Sequence, residues 1–260
     1  MAVTGTISGG AGVRRSATGR LTLSEFRLFL REPAAVAWGI GFPIVLLIIF
    51  GSIPAFKEPQ ADYGGITLLQ VYVPIIIVMN MALLAMVTMP AVLAGYREKG
   101  ILRRLRTTPA GPARVLGAQM IVAFATALCE VVVVLVVARL AYGVPFPRSP
   151  GPWAVTWLLT AAALLAIGLA IAAVGTTGRV AQVIGNILFF PMMFFSGLWL
   201  PIPSMPVVLQ HIAHATPLGA AWEAFQQASL GHWPPALPLV TMVIYAVVFG
   251  VAAARLFRWE

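Results

Sequence analysis

Long apolar segments separated by short polar stretches make up most of the 260-residue sequence. A helix of about 20 mostly apolar residues crosses the ~30 Å hydrocarbon layer of a bilayer. Six segments reach that length, at about 34–53, 66–94, 115–142, 153–174, 180–200 and 237–257. The pattern therefore predicts an all-α membrane protein, with a flexible polar N-terminus over residues 1–19 and a single six-helix transmembrane domain over residues 20–260.

A further helix is predicted between the polar N-terminus and span one. Thr22 and Glu25 have the spacing of a capping box, which marks a helix start. Phe26 and its apolar neighbours alternate with Arg27 and Arg31, as in a helix that lies in the membrane interface. Pro33 separates this N-terminal interfacial helix from span one.

The segment between spans five and six is apolar but is broken by prolines. Residues 201–238 contain no Lys or Arg, and three prolines in the first six positions prevent a continuous helix. Two short helices are predicted after them, Val207–Ala215 and Leu218–Ser229. Neither is long enough to span, so both are predicted to be re-entrant or interfacial pieces around an external vestibule.

The loop after span two is the densest basic stretch of the chain. It holds six of the seventeen Lys and Arg residues, namely Arg97, Lys99, Arg103, Arg104, Arg106 and Arg114. Ile101, Leu102 and Leu105 recur at helical spacing between these charges. The pattern predicts a short amphipathic helix at the membrane surface, presented to a soluble partner.

Charge asymmetry predicts the orientation in the plasma membrane. With six spans, fourteen Lys and Arg residues fall on one side and three on the other, Lys57, Arg139 and Arg148. Because basic loops stay on the cytoplasmic side, both termini are predicted to be cytoplasmic. The net charge of +9 is explained by these loops, and nucleic-acid binding is not predicted, since no hydrophilic domain is available to carry it.

Motifs for catalysis or metal binding are absent from the sequence. It contains no Walker A motif, no HExxH and no GxSxG, and its single cysteine, Cys129, lies in an apolar run. His211 and His214 are interpreted as ordinary interfacial residues rather than metal ligands. The chain is therefore predicted to be neither an enzyme nor a metal protein, and to bind no cofactor itself.

Glu130 is the ionisable residue that needs an explanation, because it lies about midway along span three. A carboxyl group at that depth is costly. It is interpreted either as part of a substrate or proton path, or as a hydrogen-bonding link to a neighbouring helix that carries Asn80 or Asn186. Glycines in the spans, such as Gly41 and Gly185, are expected to allow close helix packing.

Three stretches together resemble a known family, the membrane subunits (permeases) of ATP-binding-cassette (ABC) exporters of the type-2 export class. They are Arg31-Glu32-Pro33, the loop from Arg97-Glu98-Lys99-Gly100 to Thr108-Pro109, and Phe195-Ser196-Gly197-Leu198-Trp199-Leu200-Pro201 with Thr216-Pro217-Leu218. The resemblance runs from about Leu21 to Phe257. It implies that the loop after span two forms a coupling helix that docks on a separate ATPase subunit, using Arg97, Glu98, Lys99, Gly100, Ile101, Leu102, Arg103, Arg104 and Leu105. Family members often carry an acidic residue where this chain has Arg103-Arg104, so the partner surface is predicted to be acidic.

The resemblance also implies an assembly and an activity. Two copies of the chain, or this chain and a related one, would face each other above two ATPase subunits, which would bind ATP and Mg. The cargo would be a hydrophobic or amphiphilic compound, such as a drug, natural product or lipid, leaving the cytoplasm. Candidate path residues are Phe42, Asn80, Glu130, Asn186, Phe190 and Phe194, although lipid-facing packing explains the aromatic residues equally well. The alternatives are an ion- or proton-coupled secondary transporter and a membrane enzyme or assembly factor.

Overall fold

The computed structural model describes residues 37–60, 65–101, 112–200 and 202–256. Within these ranges the chain is helical, with no strand and a single isolated bridge between Pro59 and Thr67. The α-helices are α1 (Phe42–Ser52, preceded by the π-turn Ala37–Gly41), α2 (Leu68–Glu98), α3 (Pro112–Tyr142), α4 (Pro150–Val174), α5 (Gly178–Phe194), α6 (Val207–Ala215), α7 (Pro217–Leu230) and α8 (Ala236–Leu256). Short 3-10 turns cover Pro54–Phe56 and Ile202–Ser204.

Threonine side chains start three of these helices. At α2, Gln70 N donates to Thr67 Oγ1 at 3.3 Å while Thr67 N donates to Gln70 Oε1 at 3.0 Å, which completes a capping box. Thr177 caps α5 and Thr216 caps α7 through their hydroxyl oxygens in the same manner. The helix boundaries therefore follow from local sequence.

Helix α2 contains a π segment, Leu84–Thr88, in its second half. Pro90 lies just after it and has no N–H to donate to the Met86 carbonyl, so the regular hydrogen-bond ladder is interrupted there. Two glycines of neighbouring helices approach this segment. A Cβ at Gly168 of α4 would collide with the Ala85 carbonyl, and one at Gly185 of α5 would collide with the Met86 carbonyl. Only glycine permits this spacing, and close packing is thereby confirmed at Gly185. At Gly41 no atom of the described residues lies within 4 Å of the Cβ position, so the structure shows no such close packing there.

Helices α2 and α4 form the centre of the fold. In their most apolar stretches 78% and 72% of residues are buried, against 39% for α3 and 17% for α8. The outward faces of the outer helices carry large apolar side chains, among them Val132, Ile187 and Val247, each more than half exposed. Water does not favour so large an apolar surface, whereas lipid or a partner subunit covers it without cost.

Hydrogen bonds between helix termini define two ends of the molecule. At the α6–α7 end, Ser149 Oγ before α4 donates to the Gly231 carbonyl after α7 at 3.1 Å, and Gln226 Nε2 of α7 donates to Val71 O of α2 at 3.3 Å. At the α4–α5 end, the last turn of α2 contacts the turn between α4 and α5. Helices α2 and α4 therefore begin at one end and finish at the other.

The spans predicted from hydropathy agree with the structure in part. Helices α2, α3, α4 and α8 are long and apolar enough to cross a membrane, whereas α5 and the apolar helix Gly39–Ser52 are shorter. The predicted end of span five at Leu200 is wrong. Helix α5 stops at Phe194 because the chain turns at Gly197, whose φ of +83° is a left-handed conformation that suits glycine.

Two short helices precede α8 at the positions that the sequence predicts. Helix α6 covers the predicted Val207–Ala215, and α7 extends the predicted Leu218–Ser229 by one residue at each end. Several other predicted elements lie outside the described residues: the flexible segment 1–19, the interfacial helix from Thr22 to Arg31, and the part of the basic loop from Leu102 to Gly111.

Candidate functional site

The last turn of α2 is hydrogen-bonded to the connection between α4 and α5. The Arg97 guanidinium donates from Nη1 to the Ala173 carbonyl at 3.3 Å and from Nη2 to the Gly175 carbonyl. Next in sequence, Glu98 Oε2 accepts a hydrogen bond from Gly178 N at 3.1 Å. We call Arg97, Glu98 and these three backbone partners the Arg97–Glu98 clamp.

The charges of the clamp match the helix ends that they touch. Arg97 places a cation at the C-terminus of α4, where carbonyl groups carry partial negative charge, and Glu98 places an anion at the N-terminus of α5. Gly178 allows the close approach, because a Cβ there would lie 2.9 Å from the Ala91 carbonyl of α2. The α2 terminus is thus bonded to both the end of α4 and the start of α5.

The other predicted coupling residues follow the clamp directly. Lys99 is exposed, Gly100 has a φ of +67°, and Ile101 is half-buried. The positive φ at Gly100 ends α2 and turns the chain into the basic loop. Leu102, Arg103, Arg104 and Leu105 lie outside the described residues.

A buried polar contact connects the first three helical segments. Asn80 Nδ2 of α2 donates to the Gly39 carbonyl at 2.9 Å, and the Asn80 side chain approaches Glu130 of α3. Glu130 and Asn80 are both 1% exposed. Within the described part of the chain, neither oxygen of Glu130 nor Oδ1 of Asn80 has a partner of good hydrogen-bond geometry. With a second N–H and an oxygen, the Asn80 amide can pair with Glu130 either as donor or as acceptor.

The other candidate path residues do not join this contact. Phe42 is partly buried against the core and Asn186 is half-buried on α5. Phe190 and Phe194 lie on the outer surface of α5, where they are 62% and 37% exposed. The candidate residues therefore divide into an interior pair, Asn80 and Glu130, and an outward aromatic face.

At the opposite end, α6 and α7 are tied to each other by side chains. His214 Nδ1 and Glu223 Oε2 are 2.6 Å apart, and Thr216 Oγ1 donates to Ala213 O at 2.7 Å while capping α7. Gly219 lets α7 lie against the end of α6, because a Cβ there would collide with the Ala213 carbonyl. No group of three metal-ligating side chains occurs among the described residues.

The sequence profile of the family described as "ABC-2 type transporter" matches residues 17–230, which is most of the chain. The chain belongs to the ABC-2 type transporter family. It is therefore a multi-pass membrane subunit of an ABC transporter. The resemblance predicted from the sequence is confirmed. Helix α8 lies beyond the matched residues.

Two curated relatives are named "Probable multidrug ABC transporter permease YbhR", one from Escherichia coli strain K12 and one from Escherichia coli O157:H7. Each is 27% identical to this ABC-2 permease over 207 residues, which cover 77% of this chain and 54% of the relative. The chain thus spans about half the length of the curated relatives that it matches.

Sequence reasoning about this ABC-2 permease missed the partner of its clamp. Arg97 and Glu98 were predicted to contact an ATPase, yet in the structure their side chains bond to the turn from Ala173 to Gly178 of the same chain. The sequence held one signal for this turn, since Gly175-Thr-Thr-Gly178 places an N-cap threonine between two glycines. Because the two segments lie far apart in the sequence, no local pattern predicts this contact.

Proposed function

We propose that this chain is the transmembrane half of an ATP-driven exporter. Two copies face each other in the plasma membrane, with both termini cytoplasmic, and two copies of a separate ABC ATPase subunit bind beneath them. ATP and Mg bind to the ATPase subunits, and this chain binds neither. The observation that carries the proposal is the family match together with the basic loop that follows the clamp.

The proposed cargo is a hydrophobic or amphiphilic compound that leaves the cytoplasm, such as a drug, a natural product or a lipid. The multidrug name of the relatives supports this class. So does the outward face of α5, on which Phe190 and Phe194 expose aromatic rings. A second copy of the chain packed against this face would turn the rings into the wall of a shared cavity.

We assign two different roles within the coupling region. The basic segment from Leu102 to Leu105 is the part that docks, with Arg103 and Arg104 against an acidic ATPase surface. The Arg97–Glu98 clamp is the part that transmits the movement of the loop, because it joins the start of this loop to α4 and α5. When ATP binding moves the docked loop, the clamp carries the motion into two transmembrane helices at once.

The experiment is co-expression of the chain with its ATPase, followed by measurements of copurification and ATP hydrolysis. The double change of Arg103 and Arg104 to Glu should abolish copurification, because like charges would then face each other. Arg97→Ala and Glu98→Ala should leave copurification intact and lower chain-stimulated ATP hydrolysis about tenfold, since each removes a charge-assisted hydrogen bond. Glu98→Gln should recover part of the activity, because its amide oxygen still accepts from Gly178 N.

Arg179→Gln is the matched control for the clamp variants. Arg179 is exposed and follows Gly178 directly, so its loss changes the charge of the same surface without removing a clamp bond. If Arg179→Gln lowered ATP hydrolysis as much as Arg97→Ala, surface charge and not the clamp would explain the effect. If the wild-type chain neither copurified with the ATPase nor stimulated it, the proposed function itself would be wrong.

A further inference from the structure

A crevice opens at the α6–α7 end of the molecule, on the side away from the clamp. Its cavity volume is about 90 Å³, and the free space widens to about 660 Å³ with the open solvent at its mouth, between the first turns of α2, the end of α3, the start of α4 and the end of α7. Val73, Leu135 and Trp153 give it apolar walls, and Gln70, Gln226 and Arg148 give it polar groups. No acidic side chain is among the described residues that line it. We call it the Arg148 crevice.

Local hydrogen bonds hold the two amides of the crevice in place. Gln70 is fixed by the capping box of α2, and Gln226 is fixed by its bond to Val71 O at 3.3 Å. Pro74, which also lines the crevice, has no N–H to donate to the Gln70 carbonyl one turn earlier. Hydrogen bonds within the fold therefore keep the Gln70 and Gln226 side chains in place, so the polar part of the wall does not collapse into the crevice.

Arg148 is the charged group of the crevice. It is exposed, and no carboxylate of the described residues forms an ion pair with it. Its backbone is nevertheless fixed, because the next residue, Ser149, bonds to Gly231 and the Gly231 Cβ position would lie 3.5 Å from Arg148 Cβ. A cation held beside an apolar wall, with no counter-ion among the described residues, has the charge to attract an anionic amphiphile.

We propose that the Arg148 crevice binds one anionic phospholipid from the leaflet at the α6–α7 end. The lipid phosphate pairs with the Arg148 guanidinium, and an acyl chain lies along Val73, Leu135 and Trp153. Apolar walls with a single cation at the edge suit a lipid better than a free anion, because inorganic phosphate has no apolar part to bury. This site does not depend on the ATPase, so the lipid-binding proposal and the proposed exporter function can be tested independently.

The test is native mass spectrometry of the purified chain mixed with phosphatidylglycerol or phosphatidylcholine, two lipids that differ in headgroup charge. The wild type should retain one phosphatidylglycerol molecule in preference to phosphatidylcholine. Arg148→Gln should lower that preference about fivefold, which is the effect of one cation on an anionic lipid. Arg139→Gln is the control, because Arg139 is also exposed at this end of α3 but lies outside the crevice lining.

A second variant tests the apolar wall. Leu135→Trp should fill the crevice and reduce retention of phosphatidylglycerol with Arg148 intact. Added inorganic phosphate should not displace the lipid. The proposal is overturned if Arg148→Gln retains the wild-type preference, if Arg139→Gln loses as much, or if phosphate alone competes fully, since the last result would identify a simple anion site.

Discussion

At the scale of single residues, Glu130 and Asn80 show how a membrane interior tolerates polar groups. Asn80 Nδ2 donates one of its two N–H groups to the Gly39 carbonyl at 2.9 Å, and the side chain keeps a second N–H and an oxygen next to Glu130. A buried polar group without a hydrogen-bond partner is unfavourable in a low-dielectric interior. The Asn80 side chain is thus the polar neighbour through which Glu130 can be satisfied.

Glu130→Gln and Glu130→Leu separate a structural role from a transport role. The Gln amide can still hydrogen-bond to the Asn80 side chain, so Gln should preserve yield, melting temperature and transport. Leu cannot hydrogen-bond and leaves the Asn80 side chain without this partner, which costs about 1–3 kcal/mol and should lower yield and melting temperature. Fluorescence-detected melting in detergent and a vesicle transport assay give the two readouts. Wild-type stability with altered transport in Glu130→Gln would instead support a role in the path.

At the scale of helices, glycine residues of the neighbouring helices determine how closely those helices pack against α2. Gly185→Ala should lower the stability of the folded chain by about 1–3 kcal/mol, because the new methyl group meets the Met86 carbonyl and not a flexible side chain. Gly250→Ala and Gly117→Ala are the controls, since no atom of the described residues lies within 4 Å of either Cβ position. Alanine should be neutral or stabilising by up to ~1 kcal/mol at these two helical sites.

Melting curves of the three variants, recorded under one detergent condition, test this prediction about stability. The expected order of melting temperature places both controls at or above the wild type and Gly185→Ala clearly below it. If Gly185→Ala melted with the controls, the close approach of α5 to the π segment of α2 would not be a feature of the folded protein.

How much of each helix could be predicted depends on whether its limits are local. Helices α6 and α7 were predicted almost to the residue, because Pro206, Thr216 and Gly231 mark their ends in the sequence. The end of α5 was missed because hydropathy continues past Phe194 and does not register the turn at Gly197. The direction of Arg97 depends on contacts with α4 and the turn that follows it, which no local pattern encodes.

At the scale of the whole molecule, charge separates the two ends of the fold. The α4–α5 end carries the clamp and Arg179, and it leads into the basic loop. The α6–α7 end carries Arg148 and the short helices. Because Lys and Arg resist translocation, the basic end is the one expected to remain in the cytoplasm. The predicted orientation thus rests on the distribution of charge. The helix contacts define the two ends of the molecule between which that charge differs.

Cysteine labelling tests this orientation and the six-span layout together. In a Cys129→Ala background, single cysteines replace Arg148, His211, Arg179 or Arg103. The first three positions are exposed in the structure, so a lack of labelling reports the side of the membrane and not burial. A membrane-impermeant maleimide should label positions 148 and 211 in intact cells, and positions 103 and 179 only after permeabilisation. The inverse result would reverse the orientation, and labelling of all four positions from one side would rule out six alternating spans, because α4 would no longer separate Arg148 from Arg179.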